Sequence, residues 1–502
     1  MTSYNKLEKR FGRLLALREA AGVLHWDAST MMPEGHISAA ARSEQLAALG
    51  TVCHEILAGS DVSDLLDEAE GLNDLGSKSL NSWQAANLRE MRHMWVHATA
   101  VTADLVEALA KANMACETKW RTARTESDYD GIKPLLAEVL KLVKEVATAK
   151  SEALECVPYE ALMDEHTPGL RQDLVDPIFG DLEAFLPDFL AAVLDAQATA
   201  PQPIIPAGPF PADQQRALGE RLMAQLGFDF SQGRLDISLH PFSGGTPDDL
   251  RITTRYDEAD FATGLMGILH ETGHALYEKN LPEDWRRQPV GEARGMDVHE
   301  SQSLLIEMQA CRSKEFLTYA APLMKAAFQR DGPEWEVDNL YRIYTQVAPG
   351  LIRVDADEVT YPAHVILRYN IERALINDEM TLDDLPSAWN EAMQSLLGLT
   401  PPDHASGCMQ DIHWFDGAWG YFPSYSLGAM TGAQIFAAAR QADTNILPAI
   451  SKGDFAPLYA WLGEHIHGLG SLYETPELIE RATGKPLDAE IFKRHLQSRY
   501  LA

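Results

Sequence analysis

The stretch Phe261-Ala262-Thr263-Gly264-Leu265-Met266-Gly267-Ile268-Leu269-His270-Glu271-Thr272-Gly273-His274-Ala275-Leu276-Tyr277-Glu278 decides how the chain is read. Apolar Ile268, Leu269, Ala275 and Leu276 flank His270-Glu271-x-x-His274, which predicts a buried helix with polar groups set into it. Residues four apart stand one above the other on a helix face, so both imidazoles can reach one Zn²⁺ at about 2.0 to 2.1 Å. Glu271 then lies beside a water whose pKa the ion lowers from about 15.7 toward about 7. It would take that proton and pass it to a leaving amine. Two imidazoles and a carboxylate on a buried helix are costly without a shared partner. The alternative is a helix whose histidines only hydrogen-bond their neighbours.

A catalytic zinc takes three protein ligands and keeps a fourth position open. Beyond His274, the segment Gly295-Met296-Asp297-Val298-His299-Glu300-Ser301-Gln302-Ser303-Leu304-Leu305-Ile306-Glu307 begins another apolar-periodic run, and Glu300 is the expected third ligand. His299 competes for the role, but adjacent helical residues point about 100° apart, so only one of the two should face the ion. Asp297, one turn earlier, is a candidate to orient His270 or His274 from behind. It could equally be a charge at a helix N-terminus.

Outward from this centre the helical period dominates. Ile132, Leu135, Leu136, Val139, Val143 and Val146 form one amphipathic face. Similar patterns run through Leu7 to Leu24, Ala39 to Leu57, Ala86 to Lys111, Asp181 to Leu194, Asp213 to Leu226, Ser303 to Gln329 and Tyr369 to Leu375. Breaks fall at Met32-Pro33-Glu34-Gly35, in the proline-rich Pro201 to Pro211, and at Leu399 to Asp403. A mainly α fold is expected, organised as a single domain over residues 1–502. One stretch departs from the pattern: Leu235, Ile237 and Leu239 alternate, Ser243 to Pro247 supply a turn, and Leu250, Ile252 and Thr254 alternate again. This predicts a β-hairpin of about six residues per arm, with Asp257 as N-cap of the His270 helix. The arm Leu250 to Tyr256 would offer an edge to an extended peptide.

The 502 residues carry a net charge of −32, which disfavours nucleic acid and anionic membranes as partners. No apolar run approaches the roughly 18 residues of a membrane span, and the first residues lack a secretory signal. The five cysteines, Cys53, Cys116, Cys156, Cys311 and Cys408, are scattered, as expected of a cytoplasmic chain without a disulfide framework.

Five motifs in order resemble the metallocarboxypeptidases of the M32, or carboxypeptidase Taq, type. They are His240-Pro241-Phe242; Asp249-Leu250-Arg251-Ile252-Thr253; His270 to His274 with His299-Glu300-Ser301-Gln302; Ile352-Arg353-Val354-Asp355-Ala356-Asp357; and Gly407-Cys408-Met409-Gln410-Asp411-Ile412-His413-Trp414. Trp26-Asp27, Met32-Pro33 and Gly420 to Tyr425 extend the similarity, whereas Asp164-Glu165-His166-Thr167-Pro168-Gly169 departs from the pattern. The resemblance implies a helical fold split by a deep central groove, with a gluzincin site within residues 240–302 and substrate-groove motifs at 352–357 and 407–425. It also implies release of single C-terminal residues with broad specificity, a homodimer, and Co²⁺ as a substitute for Zn²⁺.

Roles for the remaining motif residues follow from chemistry. An exopeptidase must hold a free carboxylate, and a guanidinium does so bidentately, which favours Arg353 unless it pairs with Asp355 or Asp357. His413 is a candidate for binding the same carboxylate or the developing oxyanion. Tyr425, and after it Tyr421, are candidates to hydrogen-bond the tetrahedral intermediate, or else are core aromatics. Arg251 is either a substrate contact or a partner of Asp249, and His240 is structural, in a proline-fixed turn. An oligopeptide endopeptidase or dipeptidyl carboxypeptidase would use the same zinc machinery, and a helical scaffold with a structural zinc is the remaining alternative.

Overall fold

A computed structural model describes residues 2–33, 35–74 and 80–501. Almost every element is a helix, as the apolar periodicity requires, and the exception is one three-stranded sheet. The predicted segments lie within Ser3–Thr30, His36–Leu57, Tyr129–Leu154, Gln172–Thr199, Ala212–Leu226 and Tyr361–Ile376. The breaks before Ala212 and after Leu397 stand as expected; within the first break, Glu34 lies outside the described residues. Two predicted helices are interrupted. Ala86 to Lys111 divides into Ser82–Thr99 and Ala103–Glu126, because the Thr102 hydroxyl accepts from Leu105 N–H and caps a new start. Ser303 to Gln329 passes through a π-helical segment, Leu305–Cys311, and restarts at Ser313, whose hydroxyl accepts from Phe316 N–H.

The sheet corrects the hairpin expectation. Strand β1 (Gly233–Ile237) pairs parallel with β3 (Asp249–Thr254), Gly233 opposite Leu250 and Ile237 opposite Thr254. The hairpin is formed instead by β2 (Ser243–Thr246) and β3, Thr246 opposite Asp249. Gly245 lies at φ 90°, where an added Cβ would stand 2.0 Å from the Asp249 carbonyl oxygen. Between β1 and β2 the chain turns through His240-Pro241, held by Ser238 Oγ donating to His240 O and by Phe242 N–H donating to Thr253 Oγ1. Leu239, expected inside an arm, is exposed. Alternation specifies the face a residue occupies but not strand direction, since parallel and antiparallel neighbours share the two-residue period. Because the order is β1-β3-β2, β3 is central and offers no edge to a peptide, contrary to the expectation from sequence.

Two large hydrophobic cores carry the molecule. One contains Val359, Tyr369, Trp414, Phe422 and Leu427. The other contains Met266 and Leu269 from the His270 helix, Val298 from the Glu300 helix, and Leu305 and Ile306 from the π-helical segment that follows it. Helix Pro423–Ala442 belongs to both, giving Leu427, Met430 and Ala433 to the first and Ile435, Phe436 and Ala439 to the second. A smaller cluster seats the sheet on the His270 helix through Leu235, Leu250, Ile252, Ile268 and Ala275. The helix starts at Phe261 with Asp260 as its N-cap, accepting from Ala262 and Thr263 N–H. Asp257, the expected cap, instead accepts from Ala259 N–H in the preceding turn.

Candidate metal centre and substrate site

The Glu300 helix (Met296–Leu304) lies against the His270 helix (Phe261–Lys279) on one side and Pro423–Ala442 on the other, and glycines set both spacings. A Cβ on Gly273 would stand 2.7 Å from Gln302 O and Ser303 Cα, and one on Gly428 2.9 Å from Glu300 Cβ. This close approach brings the Glu300 carboxylate to the imidazoles. Its oxygens stand 3.9 Å from His270 Nε2 and 3.4 Å from His274 Nε2, and the three donor atoms lie within 4.8 Å of one another. Donors each about 2.0 to 2.1 Å from one tetrahedral ion would be about 3.3 Å apart, so the spacing fits a zinc-sized cation.

The far nitrogens of both imidazoles are engaged. His270 Nδ1 donates to Glu307 Oε2 at 2.9 Å, and Arg312 Nη2 donates to Glu307 Oε1 at 2.5 Å. His274 Nδ1 meets His299 Nδ1 at 2.7 Å, and His299 Nε2 donates to Glu278 Oε1 at 2.9 Å. With His274 Nε2 turned toward Glu300, its Nδ1–H donates to His299, so the chain to Glu278 sets both tautomers. His299 thus stands behind His274 while Glu300 stands in front. The orienting role expected of Asp297 falls to Glu307 and His299. Asp297 Oδ1 accepts from Val298 N–H, and burial pushes its carboxyl up to about 6. Glu307 was not singled out from sequence, although two helical turns after Glu300 place it on the same face.

The charges favour a cation. Burial opposes a charge on His270, but the Glu307 hydrogen bond and the charges of Glu300 and Glu307 outweigh it and raise the imidazole to about 10. For His274 burial dominates, lowering it to about 4. Burial raises the Glu271 carboxyl to about 7, in the range of a group that exchanges protons near neutrality. Two imidazoles and the Glu300 carboxylate, with Glu271 and Glu307 beside them, are the donor chemistry that a divalent transition ion takes.

The second group comes from the other core. Arg353 is 5% exposed and donates through Nε and Nη2 to Asp411, and through Nη1 to Tyr361 Oη at 2.7 Å. Its partner is therefore Asp411 rather than Asp355 or Asp357; Asp357 instead accepts from the backbone of Ala348, Val359 and Thr360. Arg368, fully buried, binds the other Asp411 oxygen, and the arginines hold that carboxyl well below its usual range against the pull of burial. Of the five Arg353 N–H groups, three are engaged and one on each terminal nitrogen stays available. Asp411, in a motif quoted for its histidine, was missed as the organiser of these arginines.

The rings of Tyr425, Tyr361 and Phe422 surround the Arg353 guanidinium at 5.1, 5.7 and 5.6 Å. His413 packs 4.6 Å from Phe422 and 6.0 Å from Tyr421, and Tyr421 lies 5.1 Å from Tyr425. Burial and the Arg353 charge lower His413 to about 4, so its ring is neutral near pH 7, with Nδ1 buried and unpartnered. Burial raises the Tyr361, Tyr421 and Tyr425 hydroxyls, and the Glu300 carboxylate adds to the rise in all three. Tyr425 and Gly428 lie three residues apart on helix Pro423–Ala442, the first beside Arg353 and the second against Glu300, so this one helix joins the two groups. Arg251, by contrast, pairs with Asp249 at 2.6 Å and lies over Trp26, which places it in the structural alternative. All five cysteines are free, and among the described residues no helix is long and apolar enough to cross a membrane.

The sequence profile of the family described as carboxypeptidase Taq (M32) metallopeptidase matches residues 6–500. Thermostable carboxypeptidase 1 of Thermus thermophilus is 36% identical, the match spanning 98% of this chain and 97% of that protein. Carboxypeptidase 1 of Bacillus subtilis is 34% identical over 98% of both. Metallocarboxypeptidase 1 of Trypanosoma cruzi superposes with a TM-score of 0.96 at 39% identity, covering 100% of this chain and 99% of that one. The chain belongs to the M32, carboxypeptidase Taq, family of metallopeptidases, carboxypeptidases that hydrolyse peptide bonds.

Proposed function

We propose that the chain is a zinc-dependent carboxypeptidase that removes single residues from the free C-termini of peptides with broad specificity, residues 1–502 acting as one peptidase domain. The observation that carries this is that helix Pro423–Ala442 joins two groups, packing Gly428 against Glu300 of the His270, His274 and Glu300 cluster and Tyr425 against Arg353. When bound by His270, His274 and Glu300, Zn²⁺, or Co²⁺ in its place, would polarise the scissile carbonyl and make water acidic enough to react near neutrality.

The rest is done by the chain's own groups. Glu271, buried and one residue beyond His270, takes the proton from the attacking water and delivers it to the leaving amine. The two unused Arg353 N–H groups hold the substrate carboxylate, and the Asp411 and Tyr361 contacts keep the fork aimed. Tyr425, with Tyr421 beside it, donates its hydroxyl proton in a hydrogen bond to the oxygen that gains charge. Neutral His413 supplies a further donor near that carboxylate. The family reading brings a cytoplasmic homodimer with it, which fractionation and light scattering of the purified protein would test.

The deciding experiment follows one peptide by timed mass spectrometry, with its C-terminus free or amidated. It uses enzyme loaded with Zn²⁺ or Co²⁺, a chelated control, and Glu271→Gln. Stepwise loss of single residues from the free form alone, abolished by chelation and by the substitution, is expected. Equal internal cleavage of both forms would discard the carboxylate anchor, and cleavage surviving chelation would discard the metal.

A further inference from the structure

Besides the HExxH centre, the described residues contain a second convergent cluster of histidine and carboxylate donors. His93 and His97 occupy one face of helix Ser82–Thr99 at the same four-residue spacing as His270 and His274. Asp164 reaches them from helix Pro158–His166, in the stretch that departs from the family pattern. A single oxygen, Asp164 Oδ2, stands 2.6 Å from His93 Nε2 and 2.9 Å from His97 Nε2. The other oxygen is taken, accepting from Gly169 N–H and from Arg171 Nη1, both at 2.9 Å.

We propose that His93, His97 and Asp164 form a second binding site for a divalent transition ion of the Zn²⁺ class, tying the His93 helix to the Pro158–His166 helix. Two neutral imidazoles and one carboxylate suit zinc or cobalt, whereas calcium and magnesium prefer oxygen donors throughout. With Oδ1 occupied by Gly169 and Arg171, Oδ2 is the oxygen that both imidazoles share. Gly169 and Arg171 fix that carboxylate from behind, as outer partners do at metal sites. The imidazoles are 24% and 12% exposed against 3% for Asp164, which leaves the cluster an approach from solvent.

At present the donors stand at hydrogen-bond spacing. An ion would replace the two N–H···O contacts and separate nitrogen from oxygen to about 3.3 Å, an opening of about 0.5 Å. His97 Nδ1 is buried without a partner whichever ring nitrogen carries the proton, so the change of tautomer breaks no bond there. Arg171 competes for the charge of Asp164, so affinity below that of the HExxH centre is expected. The site also touches the substrate side of the molecule: His166, two residues beyond Asp164, packs edge-on against Tyr421 at 4.9 Å. An ion here would brace the helix that supports that tyrosine.

The test counts metal in the full-length protein. Enzyme stripped by chelation, then dialysed against excess Zn²⁺, is analysed for zinc per chain alongside His97→Ala, Asp164→Asn and His270→Ala. Two ions are expected in the wild type. His97→Ala and Asp164→Asn should each hold one and still release C-terminal residues, and His270→Ala should hold one and be inactive. Melting temperature without metal checks that each variant folds, and the more exposed His93→Ala replaces any that does not. One ion in the wild type, or a second ion that persists in every variant of this cluster, would overturn the proposal while leaving the HExxH reading intact.

Discussion

Replacing Gly273 by alanine sets local propensity against tertiary packing with opposite signs. In an isolated helix the change stabilises by about 0.8 to 1.0 kcal/mol, because glycine is the poorer helix former. Here the new Cβ would stand 2.7 Å from Gln302 O and Ser303 Cα, backbone atoms that no rotamer change can move aside. Ordinary contact begins near 3.4 Å, so the Glu300 helix must retreat by about 0.7 Å, and overpacking of this kind costs about 1 to 3 kcal/mol. The net is a loss of roughly 1 kcal/mol. The retreat also draws Glu300 away from His270 and His274, where ligand distances tolerate only about 0.2 Å, and an affinity loss of at least about tenfold is expected. Calorimetric melting of the chelated protein reads the first effect, and zinc competition against a chromophoric chelator reads the second. A Gly273→Ala protein that melts higher than wild type and binds zinc equally would refute the argument that this glycine sets the approach of the third ligand. Gly428→Ala, pressing on Glu300 Cβ from the opposite helix, should change zinc affinity without touching the HExxH sequence.

Three further outcomes are expected. Glu307→Gln removes the charged acceptor behind His270, and zinc affinity should fall about 10- to 100-fold, measured in the same competition assay, with the helical circular dichroism unchanged. Asp411→Asn leaves Arg353 and Arg368 buried without their counter-charge, which should cost about 3 to 5 kcal/mol in urea denaturation; an effect below about 1 kcal/mol would mean that the arginines find other partners. Glu358 accepts from His495, Arg499 and Tyr500, and these partners, working against burial, hold its carboxyl well below the unfolded value of about 4.3. Its contribution is therefore present above about pH 4.3 and lost as the pH falls further. Melting curves from pH 6 to 3.5 should drop more steeply for wild type than for Glu358→Gln, and parallel curves would contradict this.

The sequence by itself determined what depends on short range. The helical class followed from apolar spacing within single segments. The pairing of His270 with His274 followed from a four-residue offset that any helix converts into one face. That only one of His299 and Glu300 should face the ion followed from the angle between adjacent helical residues, and the ordered motifs carried the family. What only the tertiary structure decided are choices of partner between distant segments. Periodicity says which face a side chain occupies but not what is laid against that face. Nothing in the alternation of Leu235 and Ile237 distinguishes a parallel from an antiparallel neighbour, so β1 joined β3 parallel and left β3 in the centre. Asp297 and Glu307 share the acidic chemistry that can orient an imidazole, and only the packing of the Glu300 helix on the His270 helix selects Glu307. Arg353 had acidic neighbours two and four residues on, yet folding delivered Asp411 from 58 residues away. A guanidinium in a core binds the carboxylate that the fold buries beside it, and that choice is made by the packing of distant segments rather than by any local pattern.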